Sequence, residues 1–336
     1  TDRDLNSTEP YPGIPTDQWI DKDGFHVNYL SPAGLKYRNI AQIMTEVAPA
    51  TIYLNSMFSL PFTIYPLVAR RSRLAPVKVV LAPRGMLKPS ALNFKKTKKK
   101  LFLFLGKLTG YYKTTWFHAT SDDEVLNVQS LAGANAKVKL IPNFAGYLPE
   151  FTQPQTKQSG VIKFIFLGRV HPIKNLDLLL KQLEHLRGNI SLTIVGSEED
   201  KGFYNECVEI IKTLPPNINV TFAGEMEYQQ VQHQIAQHHM LVLPTRGENF
   251  GHAIFEALRA GKPAIISDQT PWLDLEKNKA GWSLPLDGSK VFANAMQAAI
   301  DFDQATYDEW SAGAWTVVKE YVNKTNLKTE YQNLFD

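Results

Sequence analysis

Two short stretches of the chain carry residue types suited to holding an anionic ligand rich in hydroxyls. The first is 241–260, LVLPTRGENFGHAIFEALRA. An apolar run ends in a loop containing Gly247 and Gly251, and the loop opens a helix. A helix start offers N–H groups and a positive dipole end, which together attract an anion. Glycines let a ligand come close to the backbone. Glu248 stands at the helix mouth and Glu256 eight residues later, so two carboxylates that can accept from hydroxyls lie beside an anion site. The second stretch is 166–175, FLGRVHPIKN, where an apolar run ends at Gly168, Arg169 follows, and Lys174 and Asn175 come just before the next helix. Arginine grips a diphosphate with a fork of donors, and lysine adds a point charge. Singly, each stretch has an ordinary reading. Glutamates eight apart arise by chance on surface helices, Glu248 suits the helix dipole, and two cations in a loop are common surface charges. Their joint place at the ends of strands in one sheet favours a site.

The elements that position these residues repeat as strand, loop, helix. In the second half, strands are expected at 161–167, 192–195, 220–223, 240–244 and 264–267, with helices at 176–186, 204–214, 228–238 and 251–260. Short apolar strands alternating with helices mean βαβ units and a parallel, doubly wound sheet. The first half is less regular. Strands are expected at 26–30, 50–54, 77–82 and 116–119, and helices at 35–47, 58–71 and from Asp122 onward, where acidic residues suit the first turn. The expected division is a Rossmann-like domain over 1–145, a linker over 146–159, a second Rossmann-like domain over 160–322, and a C-terminal helix over 323–336 that packs back on the first domain. Two open α/β sheets joined in this way place a ligand cleft between their strand C-terminal ends.

Composition narrows the field. The chain has 336 residues, 44% hydrophobic and 21% charged, enough apolar material for two cores. A net charge of +3 gives no global field for nucleic acid. The single cysteine, Cys207, cannot close an internal disulfide. No signal peptide is read at Thr1, and no run approaches the roughly 20 apolar residues of a membrane span. Asp301-Phe302-Asp303 reads as a helix end rather than a metal site, and His238-His239 lack partners at ligand spacing. No metal is expected.

The two stretches together resemble the retaining glycosyltransferases numbered family 4 in the sequence-based classification, which have the two-Rossmann-domain fold termed GT-B. The matching features are the E-x7-E pair Glu248 and Glu256 and the G-R-x4-K-N segment Gly168, Arg169, Lys174 and Asn175. The segment KLIPN at 139–143 resembles the family's crossing between domains. The resemblance implies an α/β architecture of two Rossmann-like domains facing across a cleft. It implies that Arg169 and Lys174 contact the donor diphosphate and Glu256 the ribose hydroxyls. Glu248 faces the transferred sugar, helped by the N–H groups of Asn249, Phe250 and Gly251. Gly224, Glu225 and Met226 match the edge that holds the base. A nucleotide diphosphate sugar is thus the implied donor, with UDP favoured, and no cofactor is needed.

The first half resembles a bacterial polysaccharide branch of that family through RDLNSTEPYPG, YLNSMFS, LAPRGMLKPSAL and HATSDDE. Arg84, Gly85 and Met86 fall where relatives turn a loop toward the sugar. His118 ends a strand ahead of a helix and reads equally as catalytic or structural, and Arg84 as a site residue or a loop holder. Family members begin with a strand, a glycine-rich loop and a long helix, so the first domain is expected to lack about one βα unit, roughly 40–50 residues. The run Lys95–Lys100 precedes Leu-Phe-Leu-Phe-Leu, with Arg70, Arg71 and Arg73 nearby in sequence. It suits an anionic membrane or a lipid-diphosphate acceptor, or else is a solvated stretch before a buried helix. The expected protein is a cytoplasmic retaining glycosyltransferase, peripheral on the inner membrane face, passing a sugar to a glycan or lipid-linked acceptor for surface polysaccharide. A sugar-nucleotide 2-epimerase or phosphorylase of the same fold, and a non-catalytic nucleotide-sugar-binding subunit, are the alternatives.

Overall fold

The computed structural model describes residues 1–3, 8–73, 77–88, 91–92, 96–143, 148–152, 154–287, 290–324 and 326–336. The chain divides into two compact units, residues 1–142 with 328–336, and residues 143–327.

The second unit is built on six parallel strands, β7 (Val161–Leu167), β8 (Asn189–Val195), β9 (Ile218–Gly224), β10 (Met240–Leu243), β11 (Ala264–Ser267) and β12 (Gly281–Leu284). Their spatial order is β12-β11-β10-β7-β8-β9. Counted within the unit this is the doubly wound order 3-2-1-4-5-6, whose winding reverses between β7 and β10. Strands β10 and β11 are buried along their whole length, as their unbroken apolar runs require in a sheet covered on both faces. Helices α6 (Leu176–Leu183), α7 (Lys201–Lys212), α8 (Tyr228–Gln237), α9 (His252–Arg259) and α10 (Val291–Asp301) connect and cover the strands. In α6 the buried leucines 176, 179, 180 and 183 follow helical spacing and join Phe164, Phe166, Ile190 and Ile194 in one core.

The first unit holds a four-stranded parallel sheet in sequential order: β3 (Thr51–Leu54), β4 (Lys78–Leu81), β5 (Trp116–Ala119) and β6 (Val138–Leu140). Around it lie α1 (Tyr37–Val47), α2 (Tyr65–Arg73), α3 (Lys96–Leu108), α4 (Tyr111–Thr114) and α5 (Asp122–Ala132). Leu54, Val79, Leu81, Phe117 and Val128 are buried together in its core.

Two expectations need correction. Residues 26–30 do not add a strand to the sheet. They contribute to a hairpin of β1 (Trp19–Lys22) and β2 (Phe25–Asn28), turned at Asp23 (φ 50°) and Gly24 (φ 84°). An Asp-Gly pair accepts the positive φ angles of a tight hairpin turn. The helix expected at 58–71 opens with a π-turn, Leu60–Ile64, capped by the Ser59 hydroxyl, before α2 begins. In place of the helix expected at 323–336, α12 runs over Leu327–Phe335 after α11 (Gln304–Lys324) and lies with the first unit. There the Tyr331 hydroxyl donates to the Pro142 carbonyl at 3.2 Å, and Lys139 pairs with Glu330 at 2.9 Å. The reading of a buried helix at the lysine run holds for one face only: Phe102 and Leu103 pack on the core, whereas Leu101, Phe104, Leu105 and Leu108 are exposed.

Candidate functional site

The second unit brings its two motifs together at the point where its sheet reverses. Strand β7 ends at Leu167, and β10 beside it ends at Leu243. The loops that leave them are stitched to each other. Arg246 N–H donates to the Ile173 carbonyl at 2.7 Å, and the Thr245 hydroxyl to the same carbonyl at 3.2 Å. The Arg246 guanidinium donates to Asn175 Oδ1 through Nε at 3.2 Å and Nη2 at 2.9 Å. Asn175 sits in the left-handed region (φ 59°) between a short 3-10 turn and α6, so Arg246 holds the corner from which Lys174 projects. The result is an ion pair between Lys174 Nζ and Glu248, with both side chains mostly buried.

Three further contacts fix the Glu248 loop. Glu248 N–H donates to the Gln269 carbonyl at 3.0 Å, and the Ser267 hydroxyl to the Thr245 carbonyl at 2.5 Å. Trp272 Nε1 donates to the Phe250 carbonyl at 2.6 Å, inside a cluster of Phe250, Phe255, Trp272 and Tyr321. Gly251 caps α9 at φ 79° and has no side chain to occupy the first-turn N–H groups. The start of α9 therefore keeps its affinity for an anion next to Asn249, Phe250 and Gly251.

Arg169 lies closer to solvent and pairs with Glu199, which follows β8. Gly168 and Gly196 touch at the same edge. A Cβ on Gly196 would stand 2.1 Å from the Gly168 carbonyl oxygen, so only glycine fits there. Gly196 N–H also donates to the Gly224 carbonyl at 2.8 Å, which ties the ends of β7, β8 and β9 into one rim. Beyond Gly224, Glu225 is exposed and Met226 half-buried.

Glu256 lies farther along α9 and is fully engaged. It accepts from Arg259 Nε at 2.8 Å and Gln232 Nε2 at 2.7 Å, with the Tyr228 hydroxyl at 3.4 Å. Its carboxylate thus bridges α8 and α9 rather than pairing with Lys174 or Arg169. Sequence reading missed Glu199, Arg246 and Gln232. Glu199 sits in the acidic run 198–200 after Gly196, a visible signal, whereas the partners of Arg246 and Gln232 come from distant segments.

The first unit holds Arg84 and His118 at its own sheet edge, joined by one chain of hydrogen bonds. Arg84, at φ 52°, donates through Nε to Asn55 Oδ1 at 2.7 Å and through Nη2 to the Tyr53 hydroxyl at 2.9 Å. The Tyr53 hydroxyl lies 2.7 Å from His118 Nδ1, and His118 Nε2 lies 2.8 Å from the Ile141 carbonyl. A carbonyl only accepts, so Nε2 carries the proton and Nδ1 accepts from Tyr53. His118 is fully buried, and burial pushes its basicity below the ordinary histidine range, against the hydrogen bond to Ile141. With both nitrogens engaged, the geometry supports the structural reading of His118. Gly85 N–H donates to Glu124 Oε1 at 2.6 Å, and Thr120 N–H to Oε2 at 2.8 Å, so a buried carboxylate holds the Arg84 turn.

Comparison with known proteins bears on this arrangement. Residues 149–314 match the family described as Glycosyl transferases group 1. The match takes in both motifs of the second unit. Among curated proteins, the chain is similar to the O-antigen chain mannosyltransferase RfbU of Salmonella typhimurium, 24% identical over 148 residues, which are 44% of this chain and 40% of that protein. Among solved structures, HepE of Anabaena in complex with UDP-glucose superposes with a TM-score of 0.67 at 17% identity, covering 90% of this chain and 82% of that one. Sucrose-phosphate synthase of Thermosynechococcus elongatus gives 0.71 at 16% identity, covering 96% and 86%. The lipopolysaccharide outer core galactosyltransferase WaaB gives 0.56 at 17% identity, covering 85% and 78%. These neighbours show the α/β fold, GT-B, and the family match supports a glycosyltransferase.

Proposed function

We propose that the chain is a retaining glycosyltransferase that moves a sugar from a nucleoside diphosphate sugar to a glycan or lipid-linked acceptor in bacterial surface polysaccharide synthesis. The observation that carries the reading is the meeting of Lys174 and Glu248 at the switch point of the second sheet, beside the start of α9. Ligands of open α/β sheets bind outside the strand C-terminal ends at such a point. In this reading Arg169, Lys174 and the α9 N-terminus meet the diphosphate charge. Glu256 accepts from the ribose hydroxyls, and Gly224, Glu225 and Met226 border the base. Glu248 and the N–H groups of Asn249, Phe250 and Gly251 face the sugar.

The chemistry needs one bond broken and one made. The bond from the sugar's anomeric carbon to the phosphate oxygen breaks, and the electron pair leaves with the diphosphate. The acceptor oxygen bonds that carbon on the same face and passes its proton to the departing phosphate. Fixed positive charge aimed at the leaving group lowers the barrier, and here it is supplied by side chains and helix N–H groups. A UDP-sugar is favoured, supported by the UDP-glucose held by HepE. The surface-glycan acceptor is supported by RfbU and WaaB. With a lipid-linked acceptor, this reading has the enzyme work as a peripheral protein on the cytoplasmic face of the membrane.

A thermal-shift screen of UDP- and GDP-sugars tests the donor. A true donor at 100-fold excess over its Kd adds about 2.7 kcal/mol of stability. Stabilisation by UDP-sugars above GDP-sugars is expected. No shift with any nucleotide sugar would contradict the proposal, and release of a free 2-epimer without acceptor would turn it into an epimerase.

A further inference from the structure

Helix α3, in the first unit, presents two unlike faces. Phe102 and Leu103 pack toward the core, Gly106 lies against Tyr112, and Lys99 turns inward to donate to the Ala91 carbonyl at 2.7 Å. On the opposite face Leu101, Phe104, Leu105 and Leu108 are 60%, 62%, 48% and 72% exposed. Their spacing is i, i+3, i+4, i+7, which makes one continuous apolar stripe about 100° wide. The lysines are placed just as selectively. At 3.6 residues per turn, Lys98 borders the stripe on the Leu105 side, and Lys100 and Lys107 border it on the Phe104 side. All three are exposed. The run's first member, Lys95, lies outside the described residues.

A folded unit that leaves four large apolar side chains in water on one helix face marks an interaction surface. The flanking charge says what covers it. A protein groove would not need cations along both borders, whereas a bilayer interface accepts an apolar stripe into its acyl boundary and meets lysines with anionic headgroups. At 13 residues α3 is shorter than the roughly 20 residues a membrane span takes, so a contact through its stripe lies in the plane of the surface. We infer that α3 is an interfacial membrane anchor: Leu101, Phe104, Leu105 and Leu108 enter the headgroup–acyl boundary of an anionic bilayer, with Lys98, Lys100 and Lys107 on its phosphates. The inference deepens the proposed membrane-facing role, because the apolar stripe supplies an attraction that salt does not screen.

Vesicle co-sedimentation of the full chain tests it. The probes are vesicles of phosphatidylcholine alone and of phosphatidylcholine mixed with phosphatidylglycerol, at low and high salt. The wild type binds the mixed vesicles and keeps a fraction bound at high salt. Each of Lys98→Gln, Lys100→Gln and Lys107→Gln weakens binding about fivefold at low salt. The double variant Leu101→Ser, Phe104→Ser loses at least about tenfold and gives up the salt-resistant fraction. Both sets change exposed positions, so melting temperature stays near that of the wild type. A second readout uses Phe104→Cys labelled with an environment-sensitive dye, since the native Cys207 is buried. The dye emission shifts to the blue on mixed vesicles. Absence of that shift, or equal binding by wild type and Phe104 variants, overturns the inference. So does self-association of the free chain that the serine variants abolish, which would assign the stripe to a second copy. Calorimetry with UDP on the same variants separates the two readings: nucleotide affinity stays unchanged if only the anchor is wrong.

Discussion

Lys174, which leaves β7, and Glu248, which leaves β10, form an ion pair where the winding of the second sheet reverses. The pair is mostly buried and lies next to the start of α9. A diphosphate approaching that helix meets a lysine already neutralised by a carboxylate. The carboxylate therefore competes with the leaving group for the lysine's charge and, in the proposed mechanism, is a partner of the sugar.

These two roles give opposite signs in one variant. Glu248→Gln removes the competing charge, so UDP alone binds severalfold more tightly. The same change removes the group proposed to face the sugar, so turnover of the sugar donor falls. Titration of UDP and a steady-state transfer assay on one preparation check both. A fall in UDP affinity together with unchanged turnover would reverse the assignment.

Glu256 is expected to affect every nucleotide alike. Glu256→Gln weakens UDP, the UDP-sugar and the nucleoside monophosphate by similar factors, because the ribose hydroxyls are common to all. It also loosens α8 from α9, since Gln232 and the Tyr228 hydroxyl lose a charged acceptor. Hydrogen bonds to charged groups contribute about 1.5–3 kcal/mol, so the melting temperature drops measurably. A loss confined to the sugar-bearing ligand would move Glu256 out of the ribose pocket.

Much of the second unit was legible because its strands are short, unbroken and apolar. Strand β11 was read at its true boundaries, and β7 likewise, since runs such as VIKFIFL end at glycines that the loops need. Strand β12 escaped because Gly-Trp-Ser-Leu has neither alternation nor a long apolar run. The hairpin of β1 and β2 escaped despite its Asp23-Gly24 turn signal, because each strand has only four residues, mostly exposed. In the site, the residue types of Arg169, Lys174, Glu248 and Glu256 and their spacing were visible. Their partners were not: Arg246 on Asn175 spans 71 positions, and Gln232 on Glu256 spans 24. The fate of the Leu-Phe-Leu-Phe-Leu run could not be read either, since an apolar stripe looks the same whether a core or a membrane receives it.

Gly196 offers a test of how the site edge is built. A Cβ there would overlap the Gly168 carbonyl, which is backbone and cannot swing aside. Gly196→Ala should force β7 and β8 apart at the rim and cost about 1–3 kcal/mol, as overpacking does. Chemical denaturation measures the stability, and UDP titration reports the displaced Arg169 loop. Wild-type values in both would show that the contact yields easily.

Acid should destabilise the second unit through His239. Lys163 N–H donates to its Nδ1 at 2.9 Å, so the ring is neutral, and burial lowers its pKa from 6.5 to about 4. Below pH 6.5 the unfolded chain binds a proton that the folded chain refuses. Stability is therefore full above pH 6.5 and falls as pH drops toward about 4. His238 in the same unit, whose basicity burial also lowers, adds to the slope. In His239→Asn the slope of unfolding free energy against pH is smaller and does not vanish. An unchanged slope would mean that other groups set the acid response.

The most direct test of the donor site is calorimetric titration of UDP into the wild type, Arg169→Ala and Lys174→Ala. Loss of a charge-assisted contact to the diphosphate should weaken binding by about 1.5–3 kcal/mol in each variant, with melting curves that remain cooperative. UDP affinity unchanged in both folded variants would contradict the account.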